Sequence, residues 1–169
     1  MWARGIDFST LTLRTALGSA IVLEASAREF YLQLARAMSQ WNETGAAQFF
    51  IAMAKHEEAH RAELVERHRA VFGGAAALET HPGLVALELE APRSAEVASQ
   101  LTVREALKMA LHNETRARGF FLAALDQIAE PDVRALFGTL YEEEVEHVRF
   151  VRAQLAVLAP DVLAEDELG

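Results

Sequence analysis

The chain is two copies of one pattern. Shifted by 90 residues, Leu11-Thr12-Leu13-Arg14-Thr15-Ala16-Leu17 falls on Leu101-Thr102-Val103-Arg104-Glu105-Ala106-Leu107, and Glu24-Ala25-Ser26-Ala27-Arg28-Glu29-Phe30-Tyr31-Leu32 falls on Glu114-Thr115-Arg116-Ala117-Arg118-Gly119-Phe120-Phe121-Leu122. Across positions 11 to 32 this gives 11 identities in 22, too many for shared helical composition alone. A second offset, of 87, lays Phe50, Glu57 and His60 over Phe137, Glu144 and His147. The offset changes where turns are expected, at Trp41-Asn42-Glu43-Thr44-Gly45 in one copy and Glu130-Pro131-Asp132 in the other. A unit repeated at this scale is a supersecondary element that buries its apolar face against its twin. Each half therefore reads as a helical hairpin.

Apolar periodicity places helices at about 12–40, 44–72, 102–129 and 132–159. Thr102 with Glu105 forms a capping box, Gly73-Gly74 ends the second helix and Pro160 closes the fourth. Residues 73–101, with Gly73, Gly74, Pro82, Gly83 and Pro92, form a connection far longer than either turn, with room for a short helix within 84–90. A helix of ~28 residues is ~42 Å long, and 29 linking residues at up to ~3.3 Å each span that length. The expected architecture is an all-α, left-handed four-helix bundle, a single domain over residues 1–169, in which a long crossover makes the second and third helices parallel.

Composition removes several functional classes. Cysteine is absent, so a disulfide framework, a thiolate metal site and a thiol nucleophile are excluded, and any metal must sit on His, Asp and Glu. Net charge is −9, with no Lys/Arg run, which argues against nucleic acid and anionic membrane as partners. No apolar stretch reaches the ~20 residues that span a bilayer. The start, Met1-Trp2-Ala3-Arg4-Gly5-Ile6-Asp7-Phe8, lacks a targeting pattern, so a cytoplasmic location is expected.

The chemistry lies in the apolar stripes. The second helix runs Phe50, Met53, Glu57, His60, Leu64 and the fourth runs Phe137, Leu140, Glu144, His147, Val151, with the same spacing. The first runs Leu17, Ala20, Ile21, Glu24, Tyr31, Leu34 and the third Leu107, Ala110, Leu111, Glu114, Phe121, Leu125. One inward glutamate therefore interrupts each stripe near its middle, and two helices add a histidine three residues on. Residues at i and i+3 are neighbours on a helix face, so Glu57 with His60, and Glu144 with His147, can converge. Four ionised carboxylates in an apolar core cost several kcal/mol each through repulsion and lost hydration. Two divalent cations would balance them, and the two imidazoles complete a donor set suited to iron or manganese.

On Glu24-Ala25-Ser26-Ala27-Arg28 with Tyr31, Glu57-Glu58-Ala59-His60, Glu114, and Glu144-Val145-Glu146-His147, the sequence resembles the rubrerythrin-type di-iron domain of the ferritin-like superfamily, over residues 11–158. The resemblance implies two iron ions, with manganese or a mixed pair also suitable. It implies Glu24 and His60 as terminal ligands of one ion, Glu114 and His147 of the other, and Glu57 and Glu144 as bridges. It further implies reduction of hydrogen peroxide or dioxygen with ferrous/ferric cycling, and a homodimer, for which Trp2, Phe8 and Trp41 are candidate exposed apolar residues. Two departures stand out. Without cysteine there is no rubredoxin-like domain, so electrons must come from an external donor. The extra carboxylate one turn from the third-helix glutamate is also missing, its neighbours being Leu111, Ala117 and Arg118. The alternatives are a ferroxidase-type iron-handling protein, a di-iron oxygenase or oxidase with an organic substrate, and a metal-free bundle.

The remaining polar residues have plainer expectations. Arg28 and Arg118 should pair with Glu24 and Glu114 four residues back. Tyr31 and Tyr141 should pack with their hydroxyls at the bundle edge, the alternative being a donor or electron relay beside the metals. His56, His68, His81 and His112 are expected at the surface or in loops, and Glu58, Glu142, Glu143 and Glu146 on a solvated acidic face that could attract Fe(II). Phe30 and Phe120 are expected in the core or a dimer contact, and Met38, Met53 and Met109 as packing residues.

Overall fold

The computed structural model describes residues 7–74, 77–85 and 101–158. A 3-10 turn at Phe8–Thr10 leads into α1 (Leu13–Gln40) and α2 (Thr44–Phe72); a one-turn α3 (Pro82–Val85) precedes α4 (Val103–Leu125) and α5 (Pro131–Val157). Trp2, Pro92, Pro160 and most of the 84–90 segment lie outside the described residues. Helix ends follow local chemistry. Thr12 caps α1 in a capping box with Thr15, and Thr102 and Glu105 cap α4 reciprocally, with the Thr102 amide donating to Glu105 Oε2 at 2.8 Å. Such caps contribute about 1 kcal/mol each. The Glu130 carboxylate caps α5, with Pro131 at its first position, where a missing N–H costs nothing. Gly73, at φ 87°, ends α2 in a conformation that a side chain would strain.

The four long helices enclose two apolar clusters. One gathers Leu17 and Ile21 from the start of α1, Leu64 from the end of α2, Phe120 and Phe121 from the end of α4, and Phe137 from the start of α5, with Phe8 and Leu84 beside them. The other gathers Leu34 and Met38, Phe50 and Met53, Ala106 and Leu107, and Val151 from the opposite ends. α2 and α4 therefore begin at the same end of the bundle and run parallel. Gly73 and Leu101, the two ends of the long connection, therefore lie at opposite ends of the bundle, as the long connection predicts.

The first part of that connection lies on α1. The His81 amide donates to Ser19 Oγ at 2.8 Å, Arg14 pairs with Glu79 at 3.3 Å, and a Cβ on Gly18 would overlap the Glu79 carbonyl oxygen. Gly18 is thus a close-approach glycine. Phe8, expected to be exposed, is buried against Phe120 at 5.8 Å between ring centroids, whereas Trp41 at the first hairpin tip is 60% exposed. Among the described residues no helix is long and apolar enough to cross a membrane.

Candidate metal centre

Between the two apolar clusters the stripes turn polar. Glu24, Glu57, Glu114 and His147 are buried, and His60 and Glu144 are partly so. All six sequence-predicted residues reach this layer. His147 Nδ1 lies 3.3 Å from Glu57 Oε1, 3.5 Å from Glu114 Oε2 and 3.9 Å from Glu144 Oε2. His60 Nδ1 lies 3.9 Å from Glu24 Oε2, and the two imidazoles stack with centroids 5.4 Å apart. Among the described residues, donor atoms fall into three groups, each within 4.8 Å: Glu57 with His60 and His147, Glu24 with His60 and Glu143, and Glu114 with Glu144 and His147.

These atoms are close without being hydrogen-bonded. Glu24 Oε2, Glu144 Oε2, His60 Nδ1 and both ring nitrogens of His147 are buried and lack a hydrogen-bond partner. Orphaned buried polar atoms are rare and call for an explanation. Two donors each about 2.1 Å from a divalent first-row ion lie at most about 4.2 Å apart, so the separations of 3.3–3.9 Å suit atoms sharing a cation. The donor set, carboxylates with two imidazoles, fits divalent cations.

Electrostatics give the same picture. Burial, then the charges of Glu114 and Glu24, push the Glu57 carboxyl well above its ordinary range, and burial with Glu114 does the same to Glu144. Burial raises Glu24 to about 6. On Glu114 burial is outweighed by the polar groups beside it, His147, Glu144 and the Tyr31 hydroxyl, and the net shift is downward. Burial, then His147, lowers His60 to about 4, so it is a neutral ligand candidate at pH 7. On His147 burial is outweighed by Glu114 and the net shift is upward. The layer holds more negative charge than its surroundings can solvate, and protons or cations must make up the difference.

Two spaces flank the layer. On the α1/α4 side a cavity of about 50 Å³ is bounded by Leu23, Ala27, Phe30, Ala117 and Phe121, with Glu24 and Glu114 at its floor. On the α2/α5 side an open groove of about 490 Å³ is lined by His56, His60, Glu142, Glu143, Glu146 and His147. One face is apolar and narrow, the other acidic and wide.

The structure corrects several expectations. Tyr31 is fully buried, and its hydroxyl donates to Glu114 Oε1 instead of lying at the bundle edge; burial, then Glu114, pushes the phenol well above its ordinary value, so it remains a donor. Glu143 stands where the layer meets the α2/α5 groove and is not fully solvated, its Oε2 lying 3.8 Å from His60 Nδ1. Arg28 reaches across to Glu58 at 3.3 Å instead of pairing along its own helix, and among the described residues Arg118 and Glu114 form no ion pair. His68 is buried beside Phe72, at 5.1 Å between ring centroids, because α2 turns that face toward Ile21 and Leu78. Phe30 and Phe120 are buried as expected, and Phe30 also walls the α1/α4 cavity.

The rubrerythrin family model matches residues 15–160, all four long helices and the whole layer. The chain belongs to the rubrerythrin family. A solved structure of an uncharacterized conserved protein from Magnetospirillum magnetotacticum is similar at 28% identity, covering 89% of this chain and 97% of that one, with a TM-score of 0.67. No curated protein matches. This rubrerythrin-family chain keeps the all-α, ferritin-like bundle. Ala117, three residues after Glu114, helps to line the α1/α4 cavity.

Proposed function

We propose that the chain holds two iron ions, or manganese in one or both positions, on Glu24, Glu57, His60, Glu114, Glu144 and His147, and reduces hydrogen peroxide or dioxygen. What carries this reading is the buried layer of carboxylate and imidazole atoms that have no hydrogen-bond partners and lie at separations suited to shared cations. Glu24 with His60 and Glu114 with His147 hold the two ends, and Glu57 and Glu144 lie between them. When bound, the ion pair supplies one electron from each metal, and hydrogen peroxide takes up two electrons and two protons to give two waters. Tyr31 fixes the orientation of Glu114 by donating to it. Leu23, Ala27, Phe30, Ala117 and Phe121 exclude bulk water on the oxidant side.

The cavity argues on substrate size. A water molecule needs roughly 10–15 Å³ of such space, and sites for larger organic ligands run to about 300–1,000 Å³. A volume of about 50 Å³ suits peroxide or dioxygen and disfavours an organic substrate on the α1/α4 side. No thiolate iron centre can form on this sequence, so re-reduction falls to an external donor.

A ferroxidase reading has its own support in the acidic α2/α5 groove, which is open and wide enough for hydrated cations. Stopped-flow oxidation of anaerobically Fe(II)-loaded protein separates the two. Faster oxidation by peroxide than by dioxygen, with iron held at two per chain, supports reductive peroxide chemistry; the reverse order, with iron accumulating beyond two, supports the ferroxidase. Failure to bind more than a third of an equivalent of any transition metal, unchanged by Glu57→Ala, would overturn both.

A further inference from the structure

Because the hairpins are copies, each residue of the layer has a mate, and the places where mates differ show how the two ends have diverged. The offset of 90 pairs Tyr31 with Phe121; the offset of 87 pairs His56 with Glu143 and His60 with His147. All three pairs are asymmetric in the same sense. Tyr31 gives Glu114 a hydroxyl donor, whereas Phe121 has none to give Glu24, whose Oε2 is buried without a hydrogen-bond partner. The His147 side chain is 3% exposed and that of His60 is 19% exposed. The third difference lies at the residue before each helix's inward glutamate: Glu143 brings a carboxylate oxygen to 3.8 Å from His60 Nδ1, while its mate His56 sets its ring edge-on to His147, centroids 6.3 Å apart, and packs on Phe150.

We propose that Glu143 is a seventh metal donor, and that the Glu24–His60 position it completes, opening on the α2/α5 groove, is the exchangeable one of two unequal metal positions. The inference rests on the di-metal reading above and adds to it which position exchanges and through which face. Glu143 is not one member of a generic acidic patch. Glu24 Oε2 and His60 Nδ1, both buried and without hydrogen-bond partners, lie within 4.8 Å of it and of each other. His60 and Glu143 both line the α2/α5 groove, so the position they share with Glu24 faces solvent and can be loaded from it. The Glu114–His147 position has no such addition: its carboxylate is tied by Tyr31, and its imidazole, although it borders the same groove, is 3% exposed against 19% for His60 and 21% for Glu143. A cation there is enclosed, and one at Glu24–His60–Glu143 is reachable.

The test uses Co(II) alone as probe, titrated calorimetrically and by absorbance into metal-free full-length protein. Wild type should bind two equivalents with unequal affinity, and a chelator should remove them in two phases. Loss of an outer-shell partner alone weakens metal binding about 10–100-fold, so Glu143→Gln should weaken one equivalent at least tenfold and speed or abolish the fast chelator phase, leaving the other equivalent and the slow phase unchanged. Glu66→Gln, which removes a distant exposed charge on the same protein, should behave as wild type. If Glu143→Gln fails to fold, Glu143→Asp serves, with a smaller weakening of the same single equivalent. Two equivalents at wild-type affinity in the Glu143 variant, or equal loss of both, would overturn the proposal while leaving the di-metal site standing; a wild type that binds no Co(II) would remove the site itself.

Discussion

Replacing Glu57 by glutamine is expected to shift stability in opposite directions with and without metal. Glu57 is 3% exposed, and burial with neighbouring carboxylates raises its pKa well above the ordinary 4.5. At pH 8 the metal-free fold must either hold that charge away from water or take up a proton. Either way the cost cannot exceed 2.303RT times the interval from 4.5 to 8, about 4.8 kcal/mol. The isosteric amide removes that cost. For 169 residues the unfolding entropy near the midpoint is about 0.36 kcal/mol/K, so a gain of about 1–5 kcal/mol raises Tm by about 3–14 °C. With cation present the sign reverses. At a hundredfold excess over Kd each ion stabilises the native state by about 2.7 kcal/mol, so a variant that loses both forfeits about 5.4 kcal/mol and, net of the gain above, melts about 1–12 °C below wild type. Thermal melts at pH 8 in chelator and in excess Mn(II) or Co(II) measure both effects. A change of the same sign in both conditions, or a wild-type midpoint that cation leaves unmoved, would refute the reasoning.

Three further outcomes are expected. Tyr31→Phe keeps the packing but leaves Glu114 Oε1 without its donor, so affinity for one of two metal equivalents should fall about tenfold with the fold intact; unchanged titrations would show that the hydroxyl only fills space. Gly18→Ala should destabilise the protein, because overlap with the Glu79 carbonyl costs about 1–3 kcal/mol against a helix-propensity gain of under ~1 kcal/mol; a raised Tm would show that the 77–80 segment is free to move away. Between pH 6.5 and 8 the metal-free protein should lose stability, since Glu143, raised by burial and Glu24 to about 7, and Glu57 and Glu144, raised further above 4.5 by burial and neighbouring charge, keep protons that the unfolded chain has already released. His60, lowered to about 4, gives the opposite slope only below its ordinary 6.5; a Tm rising across the 6.5–8 window would contradict the assignment.

The hairpins, the parallel run of α2 and α4 and the six layer residues were legible because each follows from spacing along one helix or from the match between copies. What escaped depends on how helices are rotated against each other. Glu143 is one residue from Glu144 and so about 100° around α5 from it, a direction that is surface on an isolated helix and layer once α2 packs alongside. Tyr31 belongs to the α1 stripe, but its hydroxyl meets Glu114 83 residues away. Phe8 and His68 were misplaced for a similar reason: the 3-10 turn folds Phe8 back onto Phe120, and the end of α2 turns His68 inward beside Phe72. The Arg28–Glu58 pair crosses between helices, where one-helix spacing has nothing to say. The asymmetry between copies was already written in Tyr31 against Phe121 and His56 against Glu143; burial was needed to show that it points one way.

Two of the three donor groups draw on both hairpins: Glu57 and His60 meet His147, and Glu24 and His60 meet Glu143. The polar layer is therefore a seam, owned by neither half. Each hairpin forms largely from contacts near in sequence, which are quick to make, whereas closing the seam brings the carboxylates together as they lose water. Docking of the two halves is then the step most sensitive to what neutralises the seam, and refolding should quicken when protons or divalent cations are supplied as the halves meet. The same seam is where the assembled bundle would first part when its neutralising charge is withdrawn, with the two apolar ends still holding their own helices together.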